Sequence, residues 1–310
     1  MDLTSIDPAI LIASLMIAAT AILLAAIGEM VVEKAGVLNL GVEGMMITGA
    51  VCGFAITMET GSPVTGFVAA ALGGALLSMI FGVLTQVLLT NQVATGLALT
   101  LFGLGLSSLV GQGYQSAKPP VTPKVDFGPL ADIPFLGPVL FSHDWVVYFA
   151  LLLVLAVWLF LTYSRAGLVL RAVGENHDAA HALGYKVRLI RLSAIAFGGA
   201  CAGMGGAYIS LIRVPQWVDG ITAGSGWIAL ALVVFGAWRP GRVLIGAYLF
   251  GGLIVLQLNL QAAGLAIPAG YLSMTPYLIT ILVLVVISAD RRRAALNAPA
   301  CLGRSFHASR

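Results

Sequence analysis

Long apolar runs alternate with short polar segments along this chain, the pattern of a protein that crosses a membrane many times. Nine runs are long enough to cross, or nearly cross, a bilayer that takes about 20 helical residues to span. The runs at 45–58 and 225–238 are short, so the pattern is consistent with eight to ten transmembrane helices. The nine runs are 9–28, 45–58, 64–89, 93–111, 144–163, 192–212, 225–238, 243–260 and 271–289.

The composition supports a membrane domain and leaves little room for a soluble one. Of the 310 residues, 59% are hydrophobic and 9% are charged, whereas soluble domains carry about 25% charged residues. The three cysteines are widely spaced, so no disulfide framework or metal cluster is expected. We therefore predict an all-α, polytopic helix bundle in which residues 1–310 form one transmembrane domain.

The polar segment between the fifth and sixth runs predicts a short helix outside the membrane. Asn176 can cap its start, residues 177–183 can form about two turns, and Gly184 can end it in a left-handed conformation. Such a polar insert cannot lie in hydrocarbon. Held at the ends of two spans, it can act as a lever that a soluble partner moves. The flanking cations that place it on the cytoplasmic side are Arg165, Arg171, Lys186, Arg188 and Arg191.

The same charge bias orients the rest of the chain. It places residues 239–242 and the Arg-rich C-terminus inside, and we expect residues 291–310 to form a disordered cytoplasmic tail. The proline-rich segment 112–143 then faces outward, where it is either a docking surface for an external protein or a plain connector.

The segment 28–44 is polar and glycine-rich although it lies between two apolar runs. Glu29, Glu33 and Lys34 are either functional groups inside the membrane or solvated charges at its surface. Asn39 and Glu43 are four residues apart and bracketed by glycines, which allow a helix to break and expose backbone groups to a cavity. Asn39 and Glu43 are therefore candidates for lining or shaping a solute pathway.

A second group of polar side chains opens the fourth apolar run. Asn91, Gln92 and Thr95 precede or begin it. Amide side chains can bind a polar, uncharged solute because each offers donors and acceptors. They can equally form a turn and cap a helix. Both interpretations remain open from the sequence.

No catalytic residues are predicted. His177-Asp-Ala-Ala-His181 is similar to the zinc motif HExxH, but Asp replaces the Glu base and no third ligand follows. The chain has no Gly-Lys pair, hence no phosphate-binding loop, and no GxSxG elbow. We expect a transport protein rather than an enzyme. If ATP drives transport, another polypeptide binds ATP and Mg²⁺ and hydrolyses the nucleotide.

Several stretches resemble the permease subunits of bacterial ABC importers, in the family shared by ribose-type sugar, branched-chain amino acid and nucleoside systems. EKAGVLNLGVEGMMITGA (33–50) and NQVATGLALTLFGLGLS (91–107) are most similar to the nucleoside and simple-sugar branch. RAVGENHDAAHALGY (171–185) resembles the coupling loop, and residues 224–251 resemble the spans that follow it. One departure is that His177 and His181 stand where other residues are common, which raises the question of pH sensitivity.

This resemblance implies a type II importer fold with two permeases side by side, the partner being a second permease paralogue more often than an identical copy. It also implies a cytoplasmic ABC ATPase and an external binding protein or lipoprotein. The helix at 176–183 would be the coupling helix. Its expected ATPase-coupling residues are Gly174, Glu175, Asn176, Asp178, Ala179, Ala180, Leu183 and Gly184.

We therefore predict a permease subunit of an ATP-driven importer, multi-pass in the bacterial inner membrane, with a cytoplasmic C-terminus and no cofactor of its own. The expected solute is a nucleoside or a related molecule; a simple sugar or a branched-chain amino acid is the alternative within the family. A secondary transporter or channel is the alternative from another class. The expected solute-pathway residues are Asn39, Glu43, Asn91, Gln92 and Thr95.

Overall fold

The computed structural model describes residues 8–115, 117–262 and 298–307, together with four isolated helical positions at 274, 278, 281 and 285. Within these residues the secondary structure is helical apart from two isolated bridges, Gln115–Trp217 and Lys124–Asp144. The helices are α1 (Pro8–Lys34), α2 (Val42–Thr60), α3 (Pro63–Gly82), α4 (Gln92–Gly111), α5 (Leu136–Leu140), α6 (Trp145–Tyr163), α7 (Arg165–Glu175), α8 (His177–Ala182), α9 (Val187–Tyr208), α10 (Ser225–Phe235) and α11 (Pro240–Ala262). Single π-helical turns extend α3 through Val87 and α9 through Arg213.

Seven of these helices are long and apolar enough to span a bilayer, namely α1, α2, α3, α4, α6, α9 and α11 with their extensions. They match seven of the nine apolar runs. The run at 225–238 forms only the short helix α10, and most of the run at 271–289 lies outside the described residues. The structure is thus the expected polytopic helix bundle.

The first span is longer than its apolar run predicts. The run ends at residue 28, but α1 continues to Lys34 and carries Glu29 and Glu33 into the protein interior. Polar groups on other elements donate to one oxygen of each carboxylate, Asn39 to Glu29 and Trp238 to Glu33, whereas Glu29 Oε1 has no hydrogen-bond partner among the described residues. Helix α1 is also the central helix, since it packs against α6, α9, α10 and α11.

Small residues let α2, α3 and α9 approach closely. A Cβ added at Gly74 would lie 2.9 Å from backbone atoms of Gly203, so side chains larger than hydrogen would separate α3 from α9. Without water to drive helices together in lipid, such close backbone packing supplies the dispersion contacts that hold the bundle.

The two ends of the bundle differ in chemistry. The end that carries α8, called the α8 end below, brings together Ala35, Gln86, Arg191 and Arg304. At the opposite end, aromatic rings cover the helix termini: Phe54 lies 6.1 Å from the rings of both Tyr114 and Trp217.

The C-terminal segment 298–307 corrects the prediction of a disordered tail over 291–310. Cys301 N donates to Gly174 O at 2.9 Å, and Gly303 N donates to Gly36 O at 3.2 Å. The Phe306 side chain is buried. The prediction fails here because a few backbone hydrogen bonds and one aromatic anchor hold this segment, and neither feature gives an apolar run. Residues 291–297 and 308–310 lie outside the described residues.

Candidate functional site

The polar insert folds into two short helices, α7 and α8, each with a side-chain cap. Ser164 Oγ accepts a hydrogen bond from Gly167 N at 2.9 Å, and Asn176 Oδ1 accepts one from Ala179 N at 3.0 Å. These bonds satisfy helix N-termini that would otherwise lack partners. Gly184 ends the second helix with a φ of 89°, in the left-handed region that favours glycine. The sequence prediction of a capped helix over 176–183 is therefore matched to within one residue by α8, His177–Ala182.

Helices α7 and α8 form a pair, called the hairpin below, and the predicted coupling residues lie on two different faces of it. Gly174 and Ala180 are buried and face the bundle, so any contact they make with a soluble partner is indirect. Leu183 is 79% exposed, which makes it an apolar side chain at the tip of the α8 end. The other exposed members of the predicted set are Glu175, Asn176, Asp178, Ala179 and Gly184.

Arg191, at the start of α9, connects the hairpin to the bundle. Its side chain is completely buried and donates to Ala35 O at 3.1 Å, Gln86 Oε1 at 3.4 Å and Arg304 O at 3.0 Å. Its Nη2 lies 3.1 Å from His177 Nδ1. Because a buried guanidinium is costly unless its donors are satisfied, these acceptors fix the positions of the elements that carry them. From the sequence, Arg191 is predicted only as one of the cations that orient the chain in the membrane.

His177 is the acceptor that ties α8 to Arg191. A guanidinium only donates hydrogen bonds, so His177 Nδ1 must be unprotonated and the ring neutral in this arrangement. Burial, and then the nearby Arg191 charge, lower the pKa of His177 below its ordinary value. The rings of His177 and His181 lie 5.4 Å and 5.2 Å from the Phe306 ring. The two histidines thus hold the C-terminal segment against α8.

Glu43 holds the N-terminus of α10. Its Oε1 accepts from Thr222 Oγ1 at 2.5 Å and from Gly224 N at 3.0 Å, and its Oε2 accepts from Gly226 N at 2.6 Å. A carboxylate at this place satisfies free N–H groups and complements the helix dipole. Gly44 packs against Thr100 of α4, about 12 Å along that helix from its start at 1.5 Å per residue. Glu43 therefore lies well inside the membrane-spanning part of the bundle.

A second carboxylate holds the residues that follow α10. Glu33 Oε2 accepts from Trp238 Nε1 at 2.6 Å. Both turns that flank α10 contain non-glycine residues with positive φ, namely Ala223 (44°), Ala237 (48°) and Trp238 (54°). Such backbone persists only where surrounding contacts determine it. We infer that Glu43 and Glu33 keep this short helix in place.

Glu29 and Asn39 complete this polar group. Asn39 Nδ2 donates to Glu29 Oε2 at 3.2 Å, and Asn39 Oδ1 accepts from Gly41 N at 3.0 Å. Glu29 and Glu33 are 1% and 2% exposed. The interpretation of these acids as solvated charges at the membrane surface is therefore wrong, because both carboxylates have polar partners in the interior.

The residues around the start of α4 have separate roles. Asn91 is exposed, and its Oδ1 caps α4 by accepting from Ala94 N at 3.0 Å. Gln92 is buried, and its Oε1 accepts from Leu38 N at 2.8 Å. Thr95 Oγ1 lies 2.9 Å from Thr90 Oγ1. Gln92 is therefore joined to the 35–41 loop that carries Asn39, whereas Asn91 is a helix cap at the surface.

Sequence reasoning missed the partners of these side chains. Thr222, Gly224, Gly226 and Trp238 lie about 180 to 205 positions from the acids they bind, so no local pattern pairs them. One local feature does indicate this region: residues 219–225 form a largely polar stretch before a run too short to cross a bilayer, which is typical of a broken helix.

Comparison with known proteins agrees with this architecture. Residues 11–287 match the family described as the permease component of branched-chain amino acid transport systems. A putative glucose ABC transporter permease of Haloferax volcanii is 41% identical, covering 94% of this chain and 95% of that protein. A guanosine ABC transporter permease of Bacillus subtilis is 32% identical, covering 92% and 93%. A second guanosine permease of that organism is 26% identical, covering 73% and 68%.

A solved structure shares the fold. It is an inward-facing conformation of a putative metal-chelate type ABC transporter, with a TM-score of 0.50 and 17% identity over 94% of this chain and 91% of that one. The chain belongs to the family of branched-chain amino acid transport system permeases, and it is a multi-pass membrane subunit of an ABC importer that works with an ABC ATPase and a substrate-binding protein.

Proposed function

We propose that this permease imports a nucleoside or a closely related sugar-bearing solute. The observation that carries the proposal is full-length similarity to permeases named for guanosine and for glucose, two solutes that share a hydroxyl-rich ring. A simple sugar is the second candidate, favoured by the 41% identity to the glucose permease. The α8 end is cytoplasmic in this proposal, which places the C-terminus inside the cell.

The exposed face of α8 is the proposed contact with the ATPase. Leu183 supplies an apolar tip, and Asp178 supplies an exposed charge on the same helix. ATP and Mg²⁺ bind to the ATPase rather than to this chain. Arg191 and His177 transmit the movement, because they join α8 to the ends of α1, α3 and α9 through buried hydrogen bonds. A rigid connection of this kind lets nucleotide binding on another subunit shift the permease between two conformations.

The partner permease is a paralogue in this proposal, so the transporter is a heterodimer. The similarity of this chain to two different guanosine permeases of one organism supports pairing between related but distinct chains. Helices α3 and α4 present broad exposed apolar faces, with Leu76 68% and Leu101 70% exposed, which either lipid or the partner can cover.

In this proposal the predicted pathway residues mainly determine the shape of the solute pathway. Glu43 and Asn39 fix α10 and the loop before α2, and Gln92 fixes the same loop from α4. A broken helix held by buried polar groups is the arrangement that membrane transporters use near their solute sites. Asn91 and Thr95 lie at the start of α4, near the membrane surface, where they border the inner opening of the pathway.

At the opposite end, the 112–143 segment is the proposed docking surface for the substrate-binding protein. It exposes several apolar side chains, including Val121 at 90% and Phe135 at 52%. An apolar patch of this kind is typical of a protein interaction site.

Uptake by the reconstituted importer tests the proposal. Proteoliposomes that contain this chain, its partner permease and the ATPase should accumulate radiolabelled guanosine when the binding protein is outside and ATP is inside. Unlabelled nucleosides should compete more strongly than glucose. Competition by leucine but by neither nucleosides nor glucose would contradict the proposed solute class, and uptake without ATP would contradict the importer mechanism.

A further inference from the structure

A large cavity opens on the side of the bundle at the α8 end. It has a volume of about 820 Å³ and lies between the end of α1, the second half of α6, helix α7 and the start of α11. The exposed face of α8 and Glu43 do not line it. Trp238 does line it and also donates to Glu33, so the cavity borders the contacts that hold the residues after α10.

Four cations from three different helices line one side of this cavity. They are Lys34 on α1, Arg171 on α7, and Arg239 and Arg242 at the start of α11. Lys34 interacts electrostatically with Arg171, with Arg239 and with the carboxylate of Glu175. Within the part of the chain that the structure describes, Arg171, Arg239 and Arg242 place three guanidinium groups on this side of the cavity. Like charges repel strongly where the surroundings are partly apolar, so an anion bound here would stabilise the three arginines.

Arg171 also has an unused donor. Its Nε is buried and has no hydrogen-bond partner within the part of the chain that the structure describes. A buried donor without a partner costs free energy, and a guanidinium is suited to bind phosphate oxygens through its planar fork. This donor and the charge of the three arginines point to a phosphate group.

The other side of the cavity is apolar and belongs to the membrane. Leu151, Val154, Leu155 and Trp158 of α6 line it together with Leu244 of α11. Leu155 and Trp158 are 49% and 42% exposed. Both helices are membrane spans, and a tryptophan near a span end is typical of the headgroup region. A ligand that fills this cavity has an anionic end and a hydrocarbon body.

We propose that this cavity binds an anionic phospholipid, with its phosphate on the arginines and an acyl chain along α6. Basic pockets between transmembrane helices on the cytoplasmic side have this chemistry. A free phosphate would leave the apolar wall unused, and an ATPase surface would not reach hydrocarbon depth. The bound lipid would join α7, which leads into α8, to α1 and α11.

Lipid retention by the intact importer tests this proposal. The complex is purified in detergent and exchanged into phosphatidylcholine nanodiscs with or without a minor fraction of cardiolipin, and its bound lipid is measured by native mass spectrometry. The wild type should retain cardiolipin. Arg239→Gln combined with Arg242→Gln should bind it at least about tenfold more weakly, from a severalfold loss per arginine. Both arginines are exposed, so this variant should fold.

Two controls separate the outcomes. Arg188→Gln removes an exposed cation outside the cavity and should retain cardiolipin like the wild type. Arg171→Lys keeps the charge but loses the unpaired Nε donor, so it should bind more weakly than the wild type. Equal retention by the double variant, the Arg188 variant and the wild type would overturn the proposal. Displacement of cardiolipin by 10 mM inorganic phosphate, about the range of weak anion sites, would identify a free-anion site and overturn it as well.

Discussion

Replacing Glu43 with Gln should destabilise the helix α10 although the two side chains have almost the same shape. Glu43 Oε1 accepts from Thr222 and Gly224, and its Oε2 accepts from Gly226. Gln has one oxygen and one NH₂ group. In one orientation of the amide the NH₂ faces Gly226 N–H, and in the other it faces Gly224 N–H. A backbone donor is left without an acceptor in either case.

The expected loss follows from this geometry. A buried donor left without a partner costs about 1–3 kcal/mol, and hydrogen bonds to a charged group are worth about 1.5–3 kcal/mol. The lost charge at a helix N-terminus adds about 0.3–1 kcal/mol. Since these contributions overlap, we expect about 2–4 kcal/mol in total. The strained turn at Ala223 should relax first, because Glu43 holds the residues on both sides of it, Thr222 and Gly224.

Thermal unfolding and uptake by the reconstituted importer measure this effect. Glu43→Gln should lower the unfolding midpoint and abolish most uptake while ATPase association survives. Glu59→Gln is the matched control, since Glu59 lies near the other end of α2 and accepts a single exposed hydrogen bond from Tyr114 at 3.2 Å. It should behave like the wild type. If Glu43→Gln and Glu59→Gln have the same midpoint and uptake, the reasoning about α10 is refuted.

Three further predictions concern the α8 end. Arg191→Met should loosen the hairpin and sharply reduce ATP-driven uptake, because four acceptors lose their donor; normal coupling of ATP hydrolysis to uptake would refute its connecting role. Leu183→Asp should weaken ATPase binding about tenfold or more without changing the unfolding midpoint, whereas Leu183→Met should not, as pull-down of the ATPase would show. The contact between His177 and Arg191 should be present above pH 6.5, the ordinary histidine pKa, and be lost as pH falls through the lowered pKa of His177. At acid pH the wild type should therefore release the segment 298–307, as protease accessibility would show, and a His177→Gln variant should not. Identical pH profiles for the wild type and this variant would contradict the prediction.

The sequence predicts most of the architecture because membrane spans and caps are local features. Hydrophobic runs locate seven of the spans, and Asn176 with Gly184 delimits α8. The end of α1 is predicted wrongly because two acids usually mark the end of a span. Their burial depends on Asn39 and Trp238, and the partner of Glu33 lies 205 positions away.

The polar contacts that matter most for function also join residues that are far apart in the sequence, so local patterns do not predict them. The role of Arg191 depends on acceptors from four separate elements, none of which is recognisable from its own neighbours. The position of Phe306 against two histidines is equally hidden, because a lone aromatic residue in a polar tail gives no periodic pattern. Long-range polar contacts of this kind have to be read from the fold.

Cross-linking at the α8 end tests the central claim, that an ABC ATPase drives this permease through α8. Ala179→Cys places a thiol on the exposed face of α8, and Val121→Cys places one at the opposite end. In the assembled importer, a short bifunctional reagent should join Ala179→Cys to the ATPase, with a yield that changes when ATP is added. Val121→Cys should give no ATPase adduct. An ATPase adduct from Val121→Cys and none from Ala179→Cys would contradict the account.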